Sequence, residues 1–165
     1  GSLPVGVGSA PPRAATVPAM TRTLWTIGYE RFPTPAGLIG ALEEAGVEWV
    51  VDVRELPQSR RAGFSRRPLQ DALADAGIVY EHRRELGNPP ALREVFRAGR
   101  LIEGREAYRS HLRDGREWAL DTLSDRVSER PTAVLCLEHD PALCHRGVII
   151  EELVLRHPDV RVVRI

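Results

Sequence analysis

The run Val47-Glu48-Trp49-Val50-Val51-Asp52-Val53 constrains this chain more than any other feature. It is almost continuously apolar and only strand-length. Such a run fits a strand buried on both faces, as in a parallel sheet covered by helices. A parallel sheet in turn requires a crossover, usually helical, between successive strands. Thr23-Leu24-Trp25-Thr26-Ile27 is a β-rich run stopping at Gly28. Thr34-Pro35 then reads as an N-cap and a first-turn proline, Leu38, Ile39, Leu42 and Ala45 recur at helical spacing, and Gly46 closes the helix. A second helix spans Pro68 to Gly77, followed by a short strand, Ile78-Val79-Tyr80. Pro89-Pro90 interrupts regular structure, and Leu92, Val95 and Phe96 suggest one short helix. Tyr108, Leu112, Ala119, Leu123 and Val127 predict a single long helix from Glu106 to about Ser128. Thr132 to Leu137 is another buried strand, Asp140-Pro141 opens the last helix, and Val160 to Ile165 is the final strand. The expected fold is α/β: three layers, with helices on both faces of a mainly parallel sheet, of Rossmann-like or rhodanese-like topology.

Residues 22–165 are expected to form one domain, preceded by a flexible tail over residues 1–21 that is rich in Gly, Pro, Ala and Ser. Gly1-Ser2 resembles a protease scar, so the tail is expected to be partly non-native, and Met20 is the only methionine. All 23 basic residues are arginines, balanced by 23 acids. Without lysine there is no Schiff-base chemistry, no lysine base and no P-loop. Net neutrality argues against wholesale coating of DNA. No cofactor is expected. Two cysteines are too few for a disulfide scaffold, and no apolar run approaches a membrane span of about 20 residues; a cytoplasmic protein with reduced thiols and no membrane contact is expected.

Open parallel sheets bind ligands at the carboxyl ends of their strands. That rule selects Gly28-Tyr29-Glu30, Asp52-Val53-Arg54, and Glu138 through Arg146. Cys144-His145-Arg146 falls at a helix start, where free N–H groups and the dipole bind anions and favour a thiolate. The tripeptide reads either as such a site or as a packed cysteine beside solvated His and Arg. Asp52 with Arg54 reads as a structural ion pair, or as an anion grip in which Asp52 orients the ligand or takes a proton. Between Arg54 and Arg67 lie five arginines and one glutamate. This loop suits phosphate, or it is solvated and paired with Glu81 and Glu85. Cys136, His139, Cys144 and His145 lack a standard zinc spacing, and no metal is expected. A Cys136–Cys144 redox pair is a further reading, without Cys-x-x-Cys spacing.

The chain resembles the Domain of Unknown Function 488 (DUF488) family from about Thr23 to Ile165. The resemblance rests on Thr26-Ile27-Gly28, on Val50-Val51-Asp52-Val53-Arg54 with Pro57 and Ser59, and on Gly63-Phe64-Ser65. It continues through Gly77-Ile78-Val79-Tyr80, Leu86-Gly87, and Leu135-Cys136-Leu137-Glu138 leading to Cys144-His145-Arg146. The family often has Gly-His-Ser where this chain has Gly28-Tyr29-Glu30, and Leu-Gly-Gly where it has Leu86-Gly87-Asn88. The resemblance implies the fold and the site positions, and no settled reaction. Asp52-Val53-Arg54-Glu55 is also similar to rhodanese-like domains, but the two-residue spacing from Cys144 to Arg146 does not fit their longer cysteine loop.

The leading expectation is an enzyme for a phosphate-bearing ligand, a nucleotide or a nucleic-acid end. Cys144, His145, Asp52 and Glu138 are the candidate catalytic residues; Arg54, Arg146, Ser59, Gly28 and Tyr29 are the candidate binding residues. The rivals are a non-catalytic nucleotide- or nucleic-acid-binding module and a thiol redox protein.

Overall fold

The computed structural model describes residues 1–2 and 22–165. The tail expected over residues 1–21 lies, from residue 3 on, outside the described residues. The strands are β1 (Arg22–Gly28), β2 (Trp49–Asp52), β3 (Val79–His82), β4 (Thr132–Cys136) and β5 (Val160–Arg164). They form one all-parallel sheet in the order β3-β2-β4-β1-β5. The helices are α1 (Pro35–Ala45), α2 (Arg66–Asp75), α3 (Pro90–Arg97), α4 (Leu101–Arg113), α5 (Glu117–Glu129) and α6 (His145–Arg156). The α/β reading therefore holds. The order differs from the Rossmann one in that β4 lies between β2 and β1.

Strand periodicity divides the core into two layers. In β4, Ala133 and Leu135 face a cluster with Leu38, Leu42, Leu69 and Leu73 of α1 and α2. Val134 and Cys136 face the opposite cluster, with Tyr108, Leu120, Leu123, Val148 and Leu153 of α4, α5 and α6. Thr34 caps α1 as expected, its side chain accepting from Gly37 N. Ion pairs from Arg109 to Glu151 and Glu152, and from Arg113 to Glu152, tie α4 to α6.

Two expectations need correction. The single helix from Glu106 to Ser128 is two helices, broken where Gly115 takes φ 76°. That left-handed conformation favours glycine and ends a helix. Asp140-Pro141 does not open α6. Asp140 accepts from Ala142 N at 2.9 Å and caps a separate 3-10 turn, Pro141–Leu143. The helix proper begins after Cys144, its N-cap.

The connections leaving β2 and β4, neighbours in the sheet, run in opposite directions and over opposite faces. Right-handed crossovers impose this, and a crevice opens between the carboxyl ends of the two strands.

Candidate functional site

That crevice holds a cavity of about 280 Å³. Its walls are the ends of β2 and β4, the start of α6, Asn88, and α3 with Arg93, Phe96 and Arg97. Helix α3 buries no residue completely. It leans on the core through the partly buried Leu92 and Phe96. Leu56, Leu137 and Leu143 are exposed and also line the cavity.

Two thiols meet there. Cys136 ends β4 and Cys144 caps α6, and their Sγ atoms are 3.1 Å apart. Both are nearly inaccessible free cysteines. Cys136 also directs its thiol to Glu138 Oε2 at 3.5 Å. Burial pushes the Cys136 thiol well above its usual range; the neighbouring Cys144 adds to this and the Arg146 charge opposes it.

His145 Nε2 lies 2.7 Å from the Val53 carbonyl. A carbonyl only accepts, so Nε2 carries the proton and Nδ1 is left as the acceptor nitrogen. Burial lowers the pKa of His145 to about 4 despite that hydrogen bond, and the Arg146 charge lowers it further. The ring is therefore neutral at pH 7, and it packs edge-on against Tyr108.

Two buried guanidiniums stand at this edge of the sheet, held in different ways. Arg54 Nη2 reaches Asp52 Oδ2 at 2.7 Å, Nε reaches both Asp52 oxygens at 3.0 Å, and Nη1 donates to Phe64 O at 2.8 Å. Tyr80 OH completes Asp52 at 2.5 Å. Arg54 also lies over the Tyr29 ring, which stacks on Phe64. Burial disfavours the Arg54 charge, but hydrogen bonding and attraction to Asp52 outweigh it, raising its pKa above the ordinary arginine value. Arg146 has no carboxylate partner among the described residues. Its Nη1 donates to Ile27 O and its Nη2 to Glu138 O at 2.7 Å and His139 O at 3.2 Å, while Nε has no partner among the described residues.

Of the candidate residues, Tyr29, Arg54, Glu138, Cys144 and His145 line the cavity. Asp52, Arg146, Ser59 and Gly28 do not. Asp52 is fully buried against Arg54 and Tyr80. Arg146 is spent on backbone carbonyls. Ser59 shapes its own loop, bonding Ser65 and Arg61. Gly28 lets two backbones meet: a Cβ there would lie 1.8 Å from Glu138 O. The pairing weighed for the basic loop with Glu81 and Glu85 is absent. Those acids bind Arg83, and Glu81 also binds Arg126. Arg61 caps the carbonyls of Tyr29, Glu30 and Phe32. Arg60, Arg66 and Arg67 are exposed, with no ion pair among the described residues.

Sequence reasoning missed Asn88, Arg93 and Arg97 as wall residues. Asn88 is 5% exposed, and its Oδ1 has no partner among the described residues. Arg93 makes no ion pair among the described residues, and its Nε is buried without a partner. Arg93 and Arg97 stand four residues apart just after Pro89-Pro90, a spacing that puts both on one helix face. That was the available signal. As to metals, Cys136, Glu138 and Cys144 bring donor atoms within 4.8 Å of one another. This set differs from the one weighed on sequence, because His145 Nε2 is committed to Val53 and His139 Nε2 to Arg31.

The fold and crevice define a doubly wound α/β protein with a thiol-lined cavity at the carboxyl edge of its sheet. The chain belongs to the family described as domain of unknown function DUF488, whose model matches residues 34–153. No curated protein and no solved structure matches it. Among the described residues, no helix is long and apolar enough to cross a membrane.

Proposed function

We propose that the cavity binds a phosphate-bearing ligand, a nucleotide or a nucleic-acid end, and that the protein is an enzyme with Cys144 as its nucleophile. One observation carries this reading. Among the described residues Arg93 has no carboxylate partner and Asn88 Oδ1 no donor, and both residues line the same cavity as Cys144. A buried acceptor without a donor is costly, and a ligand N–H or O–H would relieve it. A guanidinium without a counter-ion suits a phosphate. Glu138 or the free Nδ1 of His145 would move protons, and Asp52 would act as a positioning residue through Arg54.

The test is calorimetric titration with inorganic phosphate, a 5′-mononucleotide and a 5′-phosphorylated oligonucleotide, each against its unphosphorylated counterpart. Arg93→Ala is expected to weaken binding about tenfold, the loss of one charge-assisted contact. Cys144→Ser is expected to retain binding and lose turnover. Equal affinity for phosphorylated and unphosphorylated compounds would refute the reading. The exposed Arg60, Arg66 and Arg67 favour a second reading, a non-catalytic nucleic-acid module. It predicts steeply salt-dependent binding with no reaction at Cys144.

A further inference from the structure

We propose that Cys144 and Cys136 are a peroxide-reactive dithiol, in which Cys144 is oxidised first and Cys136 resolves it to a reversible disulfide. The inference does not rest on the phosphate reading. Its foundation is the 3.1 Å separation of the two sulfurs across the ends of β4 and α6. A disulfide needs about 2.04 Å, so the remaining 1 Å or so is within side-chain rotation. Zinc held by two thiolates at about 2.3 Å would set the sulfurs roughly 3.8 Å apart, wider than they stand. The Arg146 charge, without a carboxylate partner among the described residues and felt at Cys136, also opposes a dication and supports negative sulfur.

Position assigns the roles. Cys144 occupies the N-cap of the twelve-residue α6, where the dipole and unpaired N–H groups stabilise developing negative charge. Cys136 is deeper, its proton held by burial and shared with Glu138 Oε2. In the first step Cys144 sulfur attacks the outer oxygen of a hydroperoxide. The O–O bond breaks, the hydroxyl passes to sulfur as the sulfenic acid, and the Cys144 thiol proton goes to the leaving oxygen, which departs as alcohol or water. In the second step Cys136 gives its proton to Glu138 and its sulfur attacks Cys144 sulfur. The S–O bond breaks, and the leaving hydroxide recovers the proton as water. The two thiols lose two electrons and the peroxide gains them. An external dithiol of low molecular weight returns the pair to the reduced state.

The experiment exposes the full chain to hydrogen peroxide and follows intact mass and iodoacetamide labelling. The expected result is loss of two hydrogens within one chain, both cysteines blocked to alkylation, and recovery with dithiothreitol. Cys136→Ser should stop at a Cys144 sulfenic acid that dimedone traps. Cys144→Ser should slow oxidation of Cys136 by about tenfold or more. The proposal is overturned if both thiols stay alkylatable after peroxide, if the disulfide joins separate chains, or if Cys136 oxidises equally fast without Cys144. Zinc binding that protects both thiols and blocks disulfide formation would also overturn it, in favour of a metal site at Cys136, Glu138 and Cys144. Loss of phosphate binding with the disulfide chemistry intact would sink the phosphate reading alone.

Discussion

Arg54 and Arg146 are both buried at the carboxyl edge of the sheet, yet their charges are balanced differently. Arg54 is neutralised where it stands: Asp52 takes three of its contacts, and Tyr80 fills the remaining carboxylate valence. Arg146 is solvated by three carbonyls and neutralised by no carboxylate among the described residues. Carbonyl dipoles satisfy hydrogen bonds without cancelling a charge. The first arginine is therefore a self-contained brace for the β2 loop. The second leaves a standing positive field that reaches Cys136 and His145. A thiolate or a bound anion would answer that field.

The largest expected effect is at Arg146. Arg146→Met strips the Ile27, Glu138 and His139 carbonyls of their donors together. Unsatisfied buried groups cost about 1–3 kcal/mol each, so a loss near 5 kcal/mol is expected in denaturant unfolding. Asp52→Ala comes next, at about 4 kcal/mol, because it leaves the Arg54 charge buried and unpaired. The comparison sharpens in the double variant. Asp52→Ala with Arg54→Met should recover a large part of that loss, since the pair is self-contained. No removal of a single carboxylate should rescue Arg146→Met. If one does, the two arginines are not held differently.

His145 gives a pH effect of intermediate size. Its folded pKa is lowered, by burial first, from 6.5 to about 4, so unfolding takes up a proton. Its contribution is complete above pH 6.5 and is lost as pH falls towards 4, by roughly 3 kcal/mol. Arg146 and Arg93 contribute to that lowering and Asp52 opposes it, so this titration reports the balance between the two sides of the crevice. Thermal unfolding across that pH window checks it, with His145→Gln expected to flatten the dependence. Tyr80→Phe is the smallest change. It removes one hydrogen bond to Asp52 and should cost about 1–2 kcal/mol without altering the net charge of the pair.

The five strands were legible because each contains an apolar or β-rich run. Helix boundaries were less so. The spacing from Tyr108 and Leu112 to Ala119, Leu123 and Val127 stays in helical phase across Asp114-Gly115, so periodicity hid the break. Asp140 is a genuine cap, but of a short turn, and sequence does not reveal how long a capped element runs. At the site, the carboxyl-end rule picked out the segments that carry Tyr29, Arg54, Glu138, Cys144 and His145, all of which line the cavity. It could not separate them from Asp52 and Arg146, which share the same segments but turn into the protein. The approach of Cys136 to Cys144 depends on the fold of Leu137 to Leu143, which no local pattern encodes. The orphaned oxygen of Asn88 is visible only when its surroundings are.

A phosphate-bearing ligand seated in the thiol-lined cavity, as proposed, would shield Cys144. The most direct measurement is the rate of Cys144 alkylation by iodoacetamide, with and without a saturating 5′-phosphorylated dinucleotide. Strong protection by the phosphorylated compound is expected, none by its unphosphorylated form, and loss of protection in Arg93→Ala. An alkylation rate unchanged by the phosphorylated compound would refute the proposal.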